Sequence, residues 1–191
     1  MLKSSPLLPS EKIILGIDPG TNIMGYALLV VKGSKMQVLQ FDVINLKSIS
    51  NHAVKLKRIF DRTQELISEF LPDEMAIEAP FYGTNVQSML KLGRAQGVAI
   101  AAALSRDIPY VEYAPKKIKQ SITGNGNASK EQVSQMLSQI LKLKEMPKLF
   151  DASDALAVAL CHHYQRGNNG QAGTKSWKNF LSDNPTRILS K

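Results

Sequence analysis

Two apolar runs in this chain end on an acid with a proline close behind: ILGID before Pro19, closing on Asp18, and MAIE before Ala79 and Pro80, closing on Glu78. A third stretch, FDASDALAVAL, carries Asp151 and Asp154 three residues apart, which on a helix places both on one face. Each has an ordinary explanation. Asp-Pro-Gly is turn chemistry, a strand-end glutamate suits an ion pair, and Asp151 with Asp154 fit the N-cap and N3 positions of a helix. As a set they ask for more. Carboxylates at the ends of apolar elements are costly to bury unless something neutralises them. Hard divalent cations do this with oxygen ligands, and two such ions can activate a water and stabilise a leaving oxygen. Asp18, Glu78, Asp151 and Asp154 are therefore the candidate catalytic and metal-ligating residues.

The rest of the charge points the other way. The 191 residues carry a formal net charge of +8 and a pI near 9.6, which favours an anionic partner, either nucleic acid or an acidic membrane surface. Between Tyr110 and Lys148 seven lysines face three glutamates, a net +4. His162 and His163 lie too far along the last helix to share an ion with Asp151, about 16 Å at 1.5 Å per residue, and are expected to stabilise that helix's C-terminus. The single cysteine, Cys161, excludes an internal disulfide and is expected in the core.

These groups must be positioned by secondary structure. Residues 13–18, 24–31 and 36–45 read as strands of an antiparallel meander with KGSK as a turn. Leu56, Ile59, Phe60, Thr63, Leu66, Ile67 and Phe70 recur at helical spacing behind Asn51 as N-cap, and Pro72 ends that helix. A short strand closes on Glu78, and an Ala-rich helix covers about 86–106. A strand at PYVEYA, a basic helix at PKKIKQSI and a helix from about Ser129 to Lys142 follow, the last with capping-box spacing to Gln132. The final helix is predicted over about 151–164. This order predicts an α/β domain with a mixed central sheet, residues 12–165, between an N-terminal arm (1–11) and a flexible basic tail (166–191). The most apolar stretch, AQGVAIAAAL, is too short to span a bilayer, and the N-terminus lacks the apolar core of a signal peptide. A soluble cytoplasmic protein is expected.

The segments GIDPGTNIMGYAL, AIEAPF, LKLGRAQGVAI, EYAPKKIKQSITGNGNASKEQV and DASDALAVALCH resemble, in order and spacing, those of the RuvC family of bacterial Holliday junction resolvases, over about Ile13 to His163. The resemblance implies an RNase H-like fold with a mixed five-stranded central sheet flanked by helices. It implies a homodimeric, Mg²⁺-dependent endodeoxyribonuclease that nicks opposed strands of a four-way DNA junction in recombination and repair. Two Mg²⁺ per site are expected, with Mn²⁺ as a substitute, and a RuvA-RuvB branch-migration complex is the implied partner. Asp18, Glu78, Asp151 and Asp154 fall on the four catalytic acid positions. Some members carry histidine where Asp151 stands. Phe81 falls on an aromatic that stacks on opened bases, Lys119 and Lys130 on lysines near the cleaved phosphate, and Asn85 on a polar, DNA-binding residue that follows the stacking aromatic in close relatives.

The Ala-rich helix is apolar around much of its circumference, so it must be covered on more than one side, by the sheet and by a two-fold partner or within one domain. Other classes compete. A sugar kinase or chaperone-type ATPase shares the opening motif but needs a second related domain, for which there is no repeat. A non-catalytic junction-binding protein would explain the charge but not the acids. An RNase H-like nuclease acting on RNA or an RNA–DNA hybrid would use the same carboxylates.

Overall fold

Apolar residues alternate along the first strands, and that alternation divides the core in two. In the computed structural model, which describes residues 11–80, 85–143 and 149–169, β1 (Glu11–Asp18), β2 (Ile23–Lys32) and β3 (Lys35–Asn45) form the expected antiparallel meander. β4 (Glu74–Glu78) and β5 (Tyr110–Tyr113) add in parallel, giving the five-stranded order β3-β2-β1-β4-β5. Leu15, Ile17, Leu28, Met75 and Ile77 point to one face, under α1 (His52–Phe70) and α2 (Val86–Leu104). Ile14, Ala27, Leu29 and Ala76 point to the other, under α5 (Phe150–Asn169), which is flanked by α3 (Pro115–Thr123) and α4 (Lys130–Leu141). Because side chains alternate with period two, Asp18 and Glu78 share the α5 face with Gly16 and Ala76.

The helix boundaries follow their caps. The Asn51 side chain accepts from the amides of Ala53 and Val54, and α1 ends at Leu71 in the left-handed region before Pro72. Ser129 and Gln132 make the reciprocal capping box predicted for α4. Within α1 the outcome differs at Phe60, which is 38% exposed while Ile59 is fully buried. α2 stops at Leu104, slightly short of the predicted end.

The largest difference lies in α5. The composition change at Gln165 predicts an end near Tyr164, yet the helix continues to Asn169. Packing overrides composition here. His162 is 1% exposed, and its Nε2 and Nδ1 meet Glu74 Oε2 at 2.7 Å and the Tyr113 hydroxyl at 2.9 Å. Arg166, one turn further, pairs with Glu74, as does Lys12 at 2.7 Å. His162 is therefore an interior clamp between β4, β5 and α5, which corrects its expected place at a helix C-terminus. Cys161 is fully buried, as expected.

This clamp gives a stability prediction. Burial pushes the Glu74 carboxyl up, but hydrogen bonds from Lys12 and His162 and the charge of Arg166 outweigh it and hold the group below its ordinary 4.5. Burial holds His162 below its ordinary 6.5 despite Glu74. Both folded values lie below the unfolded ones, so both contributions are present at neutral pH and lost on acidification. The His162 part should fade as pH falls below 6.5 and the Glu74 part below 4.5. Glu74→Ala leaves His162 buried without its acceptor, while Lys12 and Arg166, 43% and 49% exposed, can turn to water. The expected loss in urea unfolding at pH 7 is about 2–3 kcal/mol, below the usual cost of breaking a fully buried pair.

Candidate active site

β1 and β4 run parallel, with Ile17 opposite Ile77, so Asp18 and Glu78 leave the sheet at the same edge. α5 crosses them in the opposite direction. Its Arg166 and His162 meet Glu74 at the start of β4, and its first turns therefore lie at the Glu78 end. The lengths agree: Glu74 to Glu78 spans about 13 Å of strand, and His162 to Asp154 about 12 Å of helix. The N-terminal end of α5, where the helix dipole is positive, thus faces the strand-end acids.

Two glycines allow the helix this close. A Cβ on Gly16 would stand 2.2 Å from the carbonyl oxygen of Ala155, and one on Gly25 1.9 Å from that of Asp151. Gly25 is the register partner of Asp18. Neither glycine stands out from composition, although a glycine inside an apolar strand is the ordinary sign of close backbone approach. Gln96 is a third residue that sequence reasoning missed. It is 6% exposed on the buried face of α2, and its Nε2 donates to the Glu78 carbonyl at 3.3 Å and to Glu112 Oε2 at 3.1 Å, tying α2 to the strand end that carries Glu78. The available signal was an amide inside the apolar, Ala-rich half of the helix.

Asp18, Glu78, Asp154, Lys119 and Lys130 line one recess of about 330 Å³, walled by Leu92, Ile118 and Val133. Lys130 is the first residue of α4, where the Ser129 cap fixes its direction, and its Nζ donates to Asp154 Oδ2. Asp151 is not among the lining residues; it lies one turn before Asp154, close enough for Asp18 and Asp154 to feel its charge. Asn85 caps α2, its side chain accepting from the Ser88 amide at 3.0 Å, and stands outside the recess. Phe81 lies outside the described residues.

The electrostatics match the geometry. Burial, then the charges of Glu78 and Asp154, push the Asp18 carboxyl well above its ordinary value, against the pull of Lys130. Burial and Asp154 push Glu78 up to about 7. Burial also raises Asp154, against Lys130. Burial works against the Lys130 ammonium too, but Asp154, Asp18 and Asp151 outweigh it and raise it above its ordinary value. Among the described residues no three carboxylate, imidazole or thiol groups stand close enough to cage an ion as they are. The donor set still fits a hard divalent cation: all-oxygen, partly buried, and mutually repelling in the ionised form.

Sheet order, helix placement and strand-end acids together define an α/β domain of the RNase H-like class. A family model described as crossover junction endodeoxyribonuclease RuvC matches residues 14–162. Proteins named crossover junction endodeoxyribonuclease RuvC from Cytophaga hutchinsonii and Porphyromonas gingivalis are 60% and 56% identical, over 93% and 94% of this chain and 88% and 98% of their own lengths. The solved structure of T. thermophilus RuvC in complex with Holliday junction substrate superposes with a TM-score of 0.76 at 34% identity, covering 82% of this chain and 96% of that one. The chain belongs to the RuvC family. The yeast mitochondrial Holliday junction resolvase Ydc2, at 18% identity and a TM-score of 0.56, shares the fold.

Proposed function

We propose that this chain is a divalent-metal-dependent endodeoxyribonuclease that resolves four-way DNA junctions by paired nicks. It acts as a homodimer on cytoplasmic DNA, in recombination and repair. The observation that carries the reading is the meeting of Asp18, Glu78 and Asp154 with Lys119 and Lys130 in one recess of a RuvC-family chain. Asp18, Glu78 and Asp154, with Asp151 beside them, are the groups that would hold Mg²⁺ or Mn²⁺. Bound there, such ions activate water and stabilise the leaving oxygen of a phosphodiester. The lysines draw the scissile phosphate in and balance charge that grows on it. Phe81, three residues past Glu78, is assigned to stacking on bases unpaired at the junction centre, and Asn85 to a further polar DNA contact.

The dimer has a specific support in α2. Val86, Leu90, Gly93, Gly97, Ala101 and Leu104 follow helical spacing along one stripe. Val86, Leu90 and Leu104 are 64%, 52% and 51% exposed. A Cβ on Gly93 or Gly97 would meet no atom within 4 Å. An apolar stripe with two glycines at its middle suits close two-fold packing against a second copy. Two recesses would then be available for two opposed strands, and RuvA-RuvB would deliver the junction.

The test is incubation with a synthetic four-way junction, a linear duplex and an RNA–DNA hybrid, each with Mg²⁺ or Ca²⁺. Paired nicks in the junction alone with Mg²⁺, and binding without cutting in Ca²⁺, whose looser coordination misplaces reacting oxygens, are expected. Preferential cutting of the hybrid would overturn the reading.

Lys130→Ala and Lys119→Ala should lower the cleavage rate more than junction affinity, and change the salt dependence by at most about one phosphate contact. Both lysines pull Glu78 and Asp154 down. Removing either raises those carboxyls further, so the acidic limb of the pH–rate profile should move to higher pH. An unchanged profile with weaker binding would make them simple phosphate contacts.

A further inference from the structure

A second recess, of about 250 Å³, opens on the other side of the turn that follows Asp18. Pro19 lines the acidic recess, whereas Thr21 and Asn22 line this one. Helix α2 forms a wall of both, with Leu92 on the acidic side and Ser88 and Lys91 on this side. The remaining wall is the start of α1, with His52 and Lys55.

Its chemistry is the reverse of its neighbour's, because no acid is found among its described lining residues. Lys55 Nζ is held by the Thr21 carbonyl at 2.8 Å and Asn22 Oδ1 at 3.0 Å, which fixes one ammonium in the wall. No ion pair among the described residues neutralises Lys55 or Lys91. His52 Nε2 is buried without a hydrogen-bond partner, the one such side-chain atom among the described residues. Both α1 and α2 begin here, each capped by an uncharged asparagine and without an acid in its first turn. No acidic side chain in either first turn therefore offsets their positive dipole ends. Two cations, an unpartnered imidazole nitrogen, the hydroxyls of Ser50 and Ser88 and two helix starts form a site for an anion with several acceptor oxygens.

Resting on the function proposed above, we infer that this recess takes a backbone phosphate of the junction, a phosphodiester outside the cleaved one. It grips the DNA strand beyond the metal site and has no part in the chemistry. The shared turn, residues 18–22, couples the two recesses, so a phosphate seated by Lys91 fixes the register of the strand that enters the acidic one.

The test compares wild type, Lys91→Ala and Lys91→Arg for binding to a four-way junction in Ca²⁺ across salt concentrations, with ethylation interference on the same complexes. Lys91 is exposed and its replacement should leave the melting temperature unchanged. Lys91→Ala should weaken binding roughly 3- to 10-fold near 0.1 M salt and reduce the salt slope by about one. One phosphate position that interferes in wild type should cease to do so. Lys91→Arg should restore both. Should wild type bind and cut while Lys91→Ala keeps the same slope and the same interference map, the inference fails and the function stands. Should wild type bind no junction, the function fails and the inference with it.

Discussion

Asp18→Asn is expected to abolish junction cleavage, by roughly 10³-fold or more if it removes both a metal contact and charge stabilisation, while junction binding persists or tightens. The same substitution should stabilise the metal-free protein. Asp18 is pushed up by burial, Glu78 and Asp154, so its ionised form is held against repulsion that asparagine does not feel. Glu78 adds to this in a defined pH window. Its folded value of about 7 lies above its ordinary 4.5, so its contribution to stability is full below 4.5 and is lost as pH rises through 7. Wild-type protein without divalent ions should therefore melt lower at pH 8 than at pH 6. Mg²⁺ should raise its melting temperature, and by more at pH 8, because it binds the ionised groups of the folded state. Asp18→Asn should melt higher than wild type without metal, by about 2–4 °C per kcal/mol recovered, and respond less to Mg²⁺. A variant that melts lower and loses DNA binding along with cleavage would assign Asp18 to folding.

Gly25→Ala should damage cleavage without touching an acidic side chain. The new Cβ would stand 1.9 Å from the Asp151 carbonyl oxygen and 2.5 Å from its carbon. Both are backbone atoms near the start of a helix, so relief requires the whole first turn of α5 to move outward by more than 1 Å. Overpacking of this kind costs about 1–3 kcal/mol. A misplacement of about 1 Å at a catalytic group can cost about 10²-fold in rate. Single-turnover cleavage should fall by that order while junction affinity, set by surface lysines, changes little. Full activity in Gly25→Ala would show that the first turn of α5 can retreat without harm.

Much of this was readable before any coordinates. The strand ends at Asp18 and Glu78 follow from apolar runs stopped by proline, and the caps at Asn51 and Ser129 are local chemistry. The meander and its turn are likewise encoded within a few residues. What was not readable depends on contacts between distant segments. Gln165 opens a polar stretch, yet Arg166 continues the helix because Glu74, which is 92 residues away, waits for it. His162 carries no signal for an interior clamp, since its partners lie on β4 and β5. The pairing of Lys130 with Asp154 was similarly invisible, because the family resemblance put Lys130 near the phosphate rather than on an acid.

The path of α5 across the sheet also orders events during synthesis. Asp18 and Glu78 emerge early, and β1 to β5 can pair once residue 113 has cleared the ribosome. Until α5 follows, the sheet face carrying Ile14, Ala27, Leu29 and Ala76 has no central cover. Asp154 and the helix start that faces the acids arrive among the last described residues. A ribosome-bound chain stopped before residue 150 therefore lacks both the helix that completes the core and the carboxylate that completes the recess. The cover of that sheet face and the third carboxylate of the recess therefore arrive together on one helix, so a nascent chain gains its reactive chemistry and the packing of α5 in the same step.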